Sequence, residues 1–97
     1  MSRIDQAKMA LRIKKVQKEL EREIIETETG NGAVRVEFNG EQKLKKIHIY
    51  PSLVDLDDIT ELERWLEDAI RDAIQKSQRL ATEKMQPFMG LLGGLGL

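Results

Sequence analysis

The residue types that could do covalent chemistry are few in this sequence, and they are not arranged for it. His48 is the single histidine and there is no cysteine, so neither a thiolate metal site nor a Cys–His pair is available. The glycine-containing stretches match neither a phosphate loop nor a dinucleotide fingerprint. None of the serines has the GxSxG context of a nucleophile elbow: Ser2, Ser52 and Ser77. We predict a protein that is not an enzyme and that holds no metal or cofactor.

An acidic cluster at Asp55, Asp57 and Asp58 is superficially similar to a calcium-binding loop. It lacks the central glycine and the glutamate at the twelfth position that such a loop needs. Acidic residues also suit the start of a helix, where they complement the exposed N–H groups and the helix dipole. We therefore interpret these carboxylates as helix-capping residues.

The basic residues near the N-terminus form the most informative pattern. An apolar stripe at helical spacing predicts a helix with one buried face: Met9, Ile13, Val16 and Leu20. At 100° per residue, four cations fall on one flank of the stripe within an arc of about 80°, interrupted by Glu19. They are Lys8, Arg12, Lys15 and Arg22. Such a flank suits contact with phosphates, although a solvated helix face has the same appearance.

Length and charge narrow the class of protein. The chain has 97 residues, which is one domain, and its net charge is −1. The charge is unevenly distributed, because residues 1–23 carry seven basic and four acidic side chains and residues 51–97 carry five basic and nine acidic. The N-terminus lacks the apolar core of a signal peptide, and no apolar run reaches the roughly 20 residues that a bilayer needs. We expect a soluble cytoplasmic protein.

The middle of the chain predicts a three-stranded antiparallel meander. The first helix is expected from residue 2 to about residue 25, with Ile24 continuing its stripe and Ser2 or Asp5 as its cap. Two turns then follow, at Gly30-Asn31-Gly32 and at Asn39-Gly40, where positive φ angles are expected. Leu44 is out of phase with the later apolar residues of the third strand, so a bulge is expected near Lys45-Lys46.

A second, longer helix follows Pro51, which ends the last strand. Asp58-Ile59-Thr60-Glu61 is similar to a capping box. We expect this helix to end near Met85 or Gln86, because the residue before Pro87 disfavours helical geometry. The predicted organisation is one domain over residues 1–86 and a flexible Gly/Leu-rich tail over 87–97.

The order of elements and the residues at their junctions resemble the YbaB/EbfC family of small bacterial nucleoid-associated proteins. The resemblance covers nearly the whole chain. Its most specific part is the hairpin from Phe38-Asn39-Gly40 to Lys46-Ile47-His48-Ile49-Tyr50-Pro51-Ser52-Leu53. Three other segments also carry the resemblance: Thr29–Val36, the acidic start of the second helix, and Lys84-Met85 near the end of that helix.

This resemblance implies an α+β protomer whose sheet pairs with a second copy, leaving the helices as projecting arms. The strand residues expected to bury against the helices at this core and dimer platform are Val34, Val36, Phe38, Ile47 and Ile49. The implied partner is double-stranded DNA, bound in the nucleoid with little sequence preference. For the contacts we expect Arg3, Lys8, Arg12, Lys15 and Arg22 first, and Lys76, Arg79 and Lys84 second.

A second interpretation stays open at this point. The acidic second half and the apolar tail are compatible with a structural or protein-interaction module without DNA binding. A prefoldin-like holdase or scaffold, with helices flanking a hairpin, is the form that such a module would take.

Overall fold

The chain folds into two helices and one small sheet. The computed structural model describes residues 2–94, with side-chain surroundings for residues 2–89. Helix α1 spans Arg3–Arg22 and helix α2 spans Ile59–Gly94. Between them lie strands β1 (Ile25–Thr29), β2 (Val34–Phe38) and β3 (Leu44–Ile49), in the antiparallel order β1-β2-β3. The expected α+β class and the α-β-β-β-α order are confirmed.

Helix α1 begins at a serine cap and ends earlier than its stripe predicted. The hydroxyl oxygen of Ser2 accepts the backbone N–H of Asp5 at 3.2 Å. Glu23 is already extended, and Ile24 is 73% exposed, so the expectation that Ile24 belongs to the helical stripe is wrong. The reason is the next residue: Ile25 pairs with Phe38 in the sheet, and two adjacent β-branched residues favour the strand.

The core lies between α2 and the first two strands. Val34, Val36 and Phe38 alternate inward from β2 and pack against Ala69 and Ala73 of α2. The two alanines lack bulk, so the helix approaches the sheet closely. Larger α2 side chains surround this contact: Leu62, Trp65, Leu66, Ile70 and Ile74. Burial of Val34, Val36 and Phe38 against a helix, as expected, is confirmed.

Strand β1 adds hydrogen bonds to that packing. The hydroxyl of Thr27 donates to the carbonyl of Ala69 at 2.6 Å, and the hydroxyl of Thr29 donates to the carbonyl of Trp65 at 2.7 Å. The two acceptors lie one helical turn apart, and the two donors are i and i+2 on one strand face. These bonds fix the position of α2 along the sheet.

Strand β3 carries the predicted bulge, and its apolar residues are exposed in a single copy. Glu37 pairs with Lys46 and Phe38 pairs with Leu44, which leaves Lys45 as the extra residue and confirms the bulge. Ile47 and Ile49 are 44% and 36% exposed in a single copy, so their expected burial at the core and dimer platform stays a prediction. The reason for their exposure is the placement of α2, whose core contacts come from β1 and β2.

Glycine has a different role in each of the two turns: it allows positive φ angles in the first and a close backbone approach in the second. Gly30, Asn31 and Gly32 all have positive φ angles, of 61°, 55° and 91°, as expected. At the second turn the positive φ of 61° belongs to Gln42 and not to Asn39 or Gly40, so that expectation is wrong. A Cβ on Gly40 would lie 2.7 Å from the carbonyl oxygen of Leu20. Gly40 is therefore required for close approach to the end of α1.

Helix α2 starts at the predicted cap and continues beyond its predicted end. A carboxylate oxygen of Asp58 accepts the N–H of Glu61 at 3.1 Å, which confirms the cap. The end near Met85 or Gln86 is wrong, because the helix passes through Pro87 and reaches Gly94. Proline removes one hydrogen bond, to the carbonyl of exposed Glu83, while the next residue, Phe88, is buried and anchors the following turn. The division into 1–86 and 87–97 stays a prediction, and residues 95–97 lie outside the described part.

Candidate nucleic-acid interface

Helix α1 meets the sheet at a contact that we name the arm junction: Leu20, Asn39 and Gly40. Leu20 is the buried residue of α1, at 5% exposure, and its carbonyl accepts the N–H of Gly40 at 2.7 Å. The side-chain amide of Asn39 donates to the carbonyl of Glu21 at 3.3 Å. These bonds satisfy carbonyls at the C-terminal end of α1, where a helix leaves them unpaired.

Ser77 holds the same turn against α2. Its hydroxyl donates to the carbonyl of Asn39 at 2.7 Å and accepts the backbone N–H of Gln42 at 3.1 Å. The side-chain amide of Gln42 donates to the same hydroxyl oxygen at 3.0 Å. Ser77 is completely buried. It therefore has a structural role, and both helices are fixed to one turn of the sheet.

Lys84 joins α2 to α1. Its ammonium nitrogen lies 3.2 Å from a carboxylate oxygen of Glu23 and 3.4 Å from one of Glu19. The hydrogen bond with Glu23 raises the pKa of Lys84 above its ordinary value. Sequence reasoning placed Lys84 among the possible DNA contacts. The structure places it between the helices, where its charge already has two partners.

The cations of α1 remain open to solvent. Arg3, Lys8, Arg12, Lys15 and Arg22 are all exposed, and so are Lys14 and Lys18. Within residues 2–89, none of the seven takes part in an ion pair. On an ideal helix all seven fall within about 180° of arc, opposite the apolar stripe. We call this half of α1 the basic face.

The basic face is wider than the flank identified from the sequence. The wider face adds Lys14 and Lys18, which lie on the back of the helix and are not among the contacts expected from the sequence. The half-buried stripe of Met9, Ile13 and Val16 faces inward, so the back of α1 is open surface. Glu19, which interrupts the flank, is paired with Lys84. This wider face could have been predicted from the sequence, because the positions of Lys14 and Lys18 around the helix follow from 100° per residue.

The second group of predicted contacts lies on α2. Lys76 and Arg79 are exposed, on a stretch that also carries exposed Asp72 and Glu83. Acidic neighbours reduce the local positive potential. The structure thus leaves these two cations accessible, on a helix whose net charge is less favourable than that of α1.

Acidic residues collect at the other end of the molecule. The chain leaves β3 and passes through a short 3₁₀ turn at Pro51–Leu53 before α2 begins. Around this point lie five carboxylates that we call the acidic end: Asp55, Asp57, Asp58, Glu61 and Glu63. Ile49 pairs with Val34, whereas the arm junction lies beyond Phe38, so the two features are at opposite ends of the sheet. The protein measures 64 × 22 × 14 Å, and its charge is polarised along the longest dimension.

The outer face of the sheet is polar, and Arg35 is paired across it with two glutamates. The Arg35 guanidinium lies 2.7 Å from a carboxylate oxygen of Glu28 and 3.2 Å from one of Glu26. The hydrogen bond with Glu28 raises the pKa of Arg35. His48 is exposed, and its ring centre lies 4.3 Å from that of Tyr50. Across the described residues, no group of three or more metal-ligating side chains comes together.

Two apolar surfaces are uncovered, one on the flank of α2 and one on β3. A shallow groove on the flank of the helix is lined by Leu66, Ile70 and Ile74, with Glu67, Arg71 and Gln75 at its rim. Leu44, Ile47 and Ile49 of β3 are all exposed, and they share the inward face of the sheet with their partners on β2. We call these six apolar residues the apolar corner. β3 is also an edge strand, so its outer backbone groups have no partner in the sheet.

Comparison with known proteins agrees with this geometry. A nucleoid-associated protein of Chloroflexus aurantiacus is 45% identical over 87 residues, covering 90% of this chain and 87% of its own. One from Ruminiclostridium cellulolyticum is 36% identical over 88 residues, covering 91% of this chain and 76% of its own. The crystal structure of an uncharacterized Helicobacter pylori protein has the same fold, with a TM-score of 0.73 at 24% identity, covering 89% of this chain and 88% of that one.

Along the described helices, none is long and apolar enough to cross a membrane. The sequence profile of the YbaB/EbfC DNA-binding family matches residues 2–92, so the match includes α1, the whole sheet and nearly all of α2. The chain therefore belongs to the YbaB/EbfC DNA-binding family.

Proposed function

We propose that this protein binds double-stranded DNA in the nucleoid through the basic face of α1, without catalysis. The observation that carries the proposal is the set of seven exposed α1 cations that have no carboxylate partner within residues 2–89. Cations committed to carboxylates, such as Lys84 and Arg35, must give up that pairing to bind a phosphate. The α1 cations release only small counterions, and this release favours binding.

Binding of this kind has little sequence preference. Lysine and arginine contacts to phosphates position a protein on the duplex but carry no direct base information. Arg3, Lys8, Arg12, Lys15 and Arg22 form the leading contact set, and Lys14 and Lys18 extend it. Lys76 and Arg79 are second, because acidic residues lie near them. Lys84 is last, because it already bridges two glutamates.

We further propose that the working form is a homodimer joined at the apolar corner. Pairing of two β3 edges extends each sheet, and the same approach places the Leu66–Ile70–Ile74 groove of one copy against its equivalent in the other. Ile47 and Ile49, exposed in a single copy, are then buried. Symmetric contact of one patch with itself is the commonest arrangement of soluble oligomers. A dimer carries two basic faces and so doubles the number of phosphate contacts.

The test is duplex binding followed by fluorescence anisotropy while the salt concentration is varied. A duplex of natural sequence and a scrambled duplex of equal composition are compared. The logarithm of affinity is expected to fall with the logarithm of salt by about 0.9 for every phosphate neutralised, equally for both duplexes. Absence of binding at low salt would contradict the proposal and favour a protein-interaction module. A large difference in affinity between the two duplexes would contradict low specificity.

A further inference from the structure

Two large apolar side chains of α1 face away from the protein. Ile4 is 67% exposed and Leu11 is 68% exposed. Neither belongs to the inward stripe of Met9, Ile13 and Val16 that accompanies buried Leu20. Exposed leucines are common on protein surfaces, so exposure alone means little. What sets these two apart is the surface that surrounds them.

Leu11 and Ile4 lie at the centre of the basic face. At 100° per residue, both fall within about 10° of the middle of the arc that holds all seven cations. Lys8, Lys14, Lys15 and Lys18 lie close to Leu11 on either side of it along the helix. The apolar pair is therefore enclosed by positive charge, and the matching partner is a polyanion that has an apolar group between its charges.

Duplex DNA has this chemistry in its major groove. Two phosphate backbones border a groove about 12 Å wide that admits an α-helix, and the thymine C5-methyl group is an apolar feature of its floor. A bare anionic lipid surface has the charge but calls for a larger apolar face than two side chains provide. Charge and shape thus favour the duplex as the occupant of this face.

We propose that Leu11, with Ile4 about two helical turns away on the same face, contacts thymine methyl groups when the basic face lies in the major groove. This inference rests on the proposed function and adds a base-reading element to it. The flanking lysines hold the backbones and the leucine reaches the floor between them. One methyl contact contributes about a fourfold difference in affinity, from the burial of one carbon group. An effect of that size is compatible with binding that is mostly independent of sequence.

The test removes only the methyl groups. Two duplexes of one A·T-rich sequence are compared by anisotropy at fixed low salt, one with thymine and one with deoxyuridine at every such position. The wild-type protein is expected to bind the thymine duplex about fourfold more tightly for each methyl contacted. Leu11→Ala is expected to reduce this ratio close to the value set by DNA shape alone. Leu56→Ala, at a leucine of the acidic end that is 77% exposed, is the matched control and keeps the wild-type ratio.

Each other outcome counts against the inference. Equal binding of wild-type protein to both duplexes overturns it and leaves the proposed function intact. A thymine preference that persists in Leu11→Ala also overturns it, since DNA shape would then be the cause. Leu11-dependent binding to anionic vesicles, with a thymine to deoxyuridine ratio of one, would assign the face to lipid. Absence of binding to either duplex overturns the inference and the proposed function together.

Discussion

The N–H of Gly40 donates a 2.7 Å hydrogen bond to the carbonyl of Leu20, and this contact places α1 on the sheet. The approach is so close that a Cβ on Gly40 would lie 2.7 Å from that oxygen and 2.9 Å from the Cα of Leu20. Both are backbone atoms, which cannot move aside without moving the helix. The attachment of α1 to the sheet, and with it the position of the basic face, therefore depends on the absence of a side chain at Gly40.

Gly40→Ala is expected to lower the free energy of unfolding by about 1–3 kcal/mol, the usual cost of overpacking. Urea denaturation measures the loss, and amide hydrogen exchange shows where the structure opens. We expect faster exchange throughout α1. Gly32→Ala is the control, because its φ of 91° makes alanine strained but its Cβ would have only a Glu28 oxygen, 3.8 Å away. Equal exchange of α1 in the two variants would contradict this role of Gly40.

Removal of the Ser77 hydroxyl is expected to loosen the same turn from α2. Ser77→Ala leaves the Asn39 carbonyl and the Gln42 N–H without their buried partner, at an expected cost of about 1–3 kcal/mol in unfolding free energy. Ser52→Ala, at an exposed serine, is expected to change little. Equal stability of the two variants in urea would show that water replaces the hydroxyl.

Charge reversal on the basic face is expected to weaken DNA binding without unfolding the protein. The double variant Arg12→Glu/Lys15→Glu removes two phosphate contacts and adds repulsion. We expect affinity at low salt to fall about tenfold or more and the salt slope to decrease by about 2. Arg64→Glu/Lys43→Glu, at exposed cations outside α1, controls for the change in net charge. A folded double variant with unchanged binding would exclude this surface.

A charge placed in the apolar corner is expected to separate the proposed dimer. Ile70→Glu puts a carboxylate in the groove, where burial against a second copy would leave it unpaired. Light scattering after gel filtration should show dimers for the wild type and monomers for this variant at the same concentration. Ile24→Glu, at a 73% exposed residue outside the corner, should leave the mass unchanged. A wild-type monomer, or a dimeric Ile70→Glu protein, would refute the interface.

The Lys84 bridge is expected to give a defined pH dependence. The pKa of Lys84 is raised in the folded protein by its hydrogen bond with Glu23, so the stabilisation is complete below the ordinary pKa of 10.5. It is lost as the pH rises through the higher folded pKa. The difference in unfolding free energy between wild type and Lys84→Gln should therefore be constant from neutral pH to about 10 and shrink above it. A constant difference throughout would show that the contribution is packing and not charge.

Local patterns predicted much of this fold. The phase conflict between Leu44 and Ile47 gave the bulge, Asp58 and Glu61 gave the cap, and helical spacing gave both helices. The predictions that were wrong concern how one helix or strand packs against another. Nothing in the local pattern of β3 distinguishes a strand covered by its own helix from one left open, so it does not predict that Ile47 and Ile49 are exposed in a single copy. Gly40 was interpreted through its own φ, whereas its role is set by Leu20, 20 positions earlier in the chain.

The candidate site was predictable in part, for a similar reason. The sequence locates the α1 cations, and helical geometry sorts them by angle. It does not show which carboxylates reach a cation, so Lys84 is ranked with Lys76 and Arg79 although it already has two glutamate partners. The sequence also does not show that the back of α1 is exposed to solvent. It therefore gives no reason to select Leu11 as a candidate contact. Pro87 was expected to end α2, which is the usual effect of proline. The burial of Phe88 stabilises the following turn, and the helix continues.

The separation of the basic face from the acidic end has a consequence for how the protein would cover a chromosome. A molecule that approaches the duplex with α1 presents Asp55, Asp57, Asp58, Glu61 and Glu63 to the outside. A duplex coated in this way keeps a negative outer surface, which repels both a second layer of protein and neighbouring coated segments. Such a coat would be limited to one layer, and the strands beneath it would remain dispersed and accessible to other proteins.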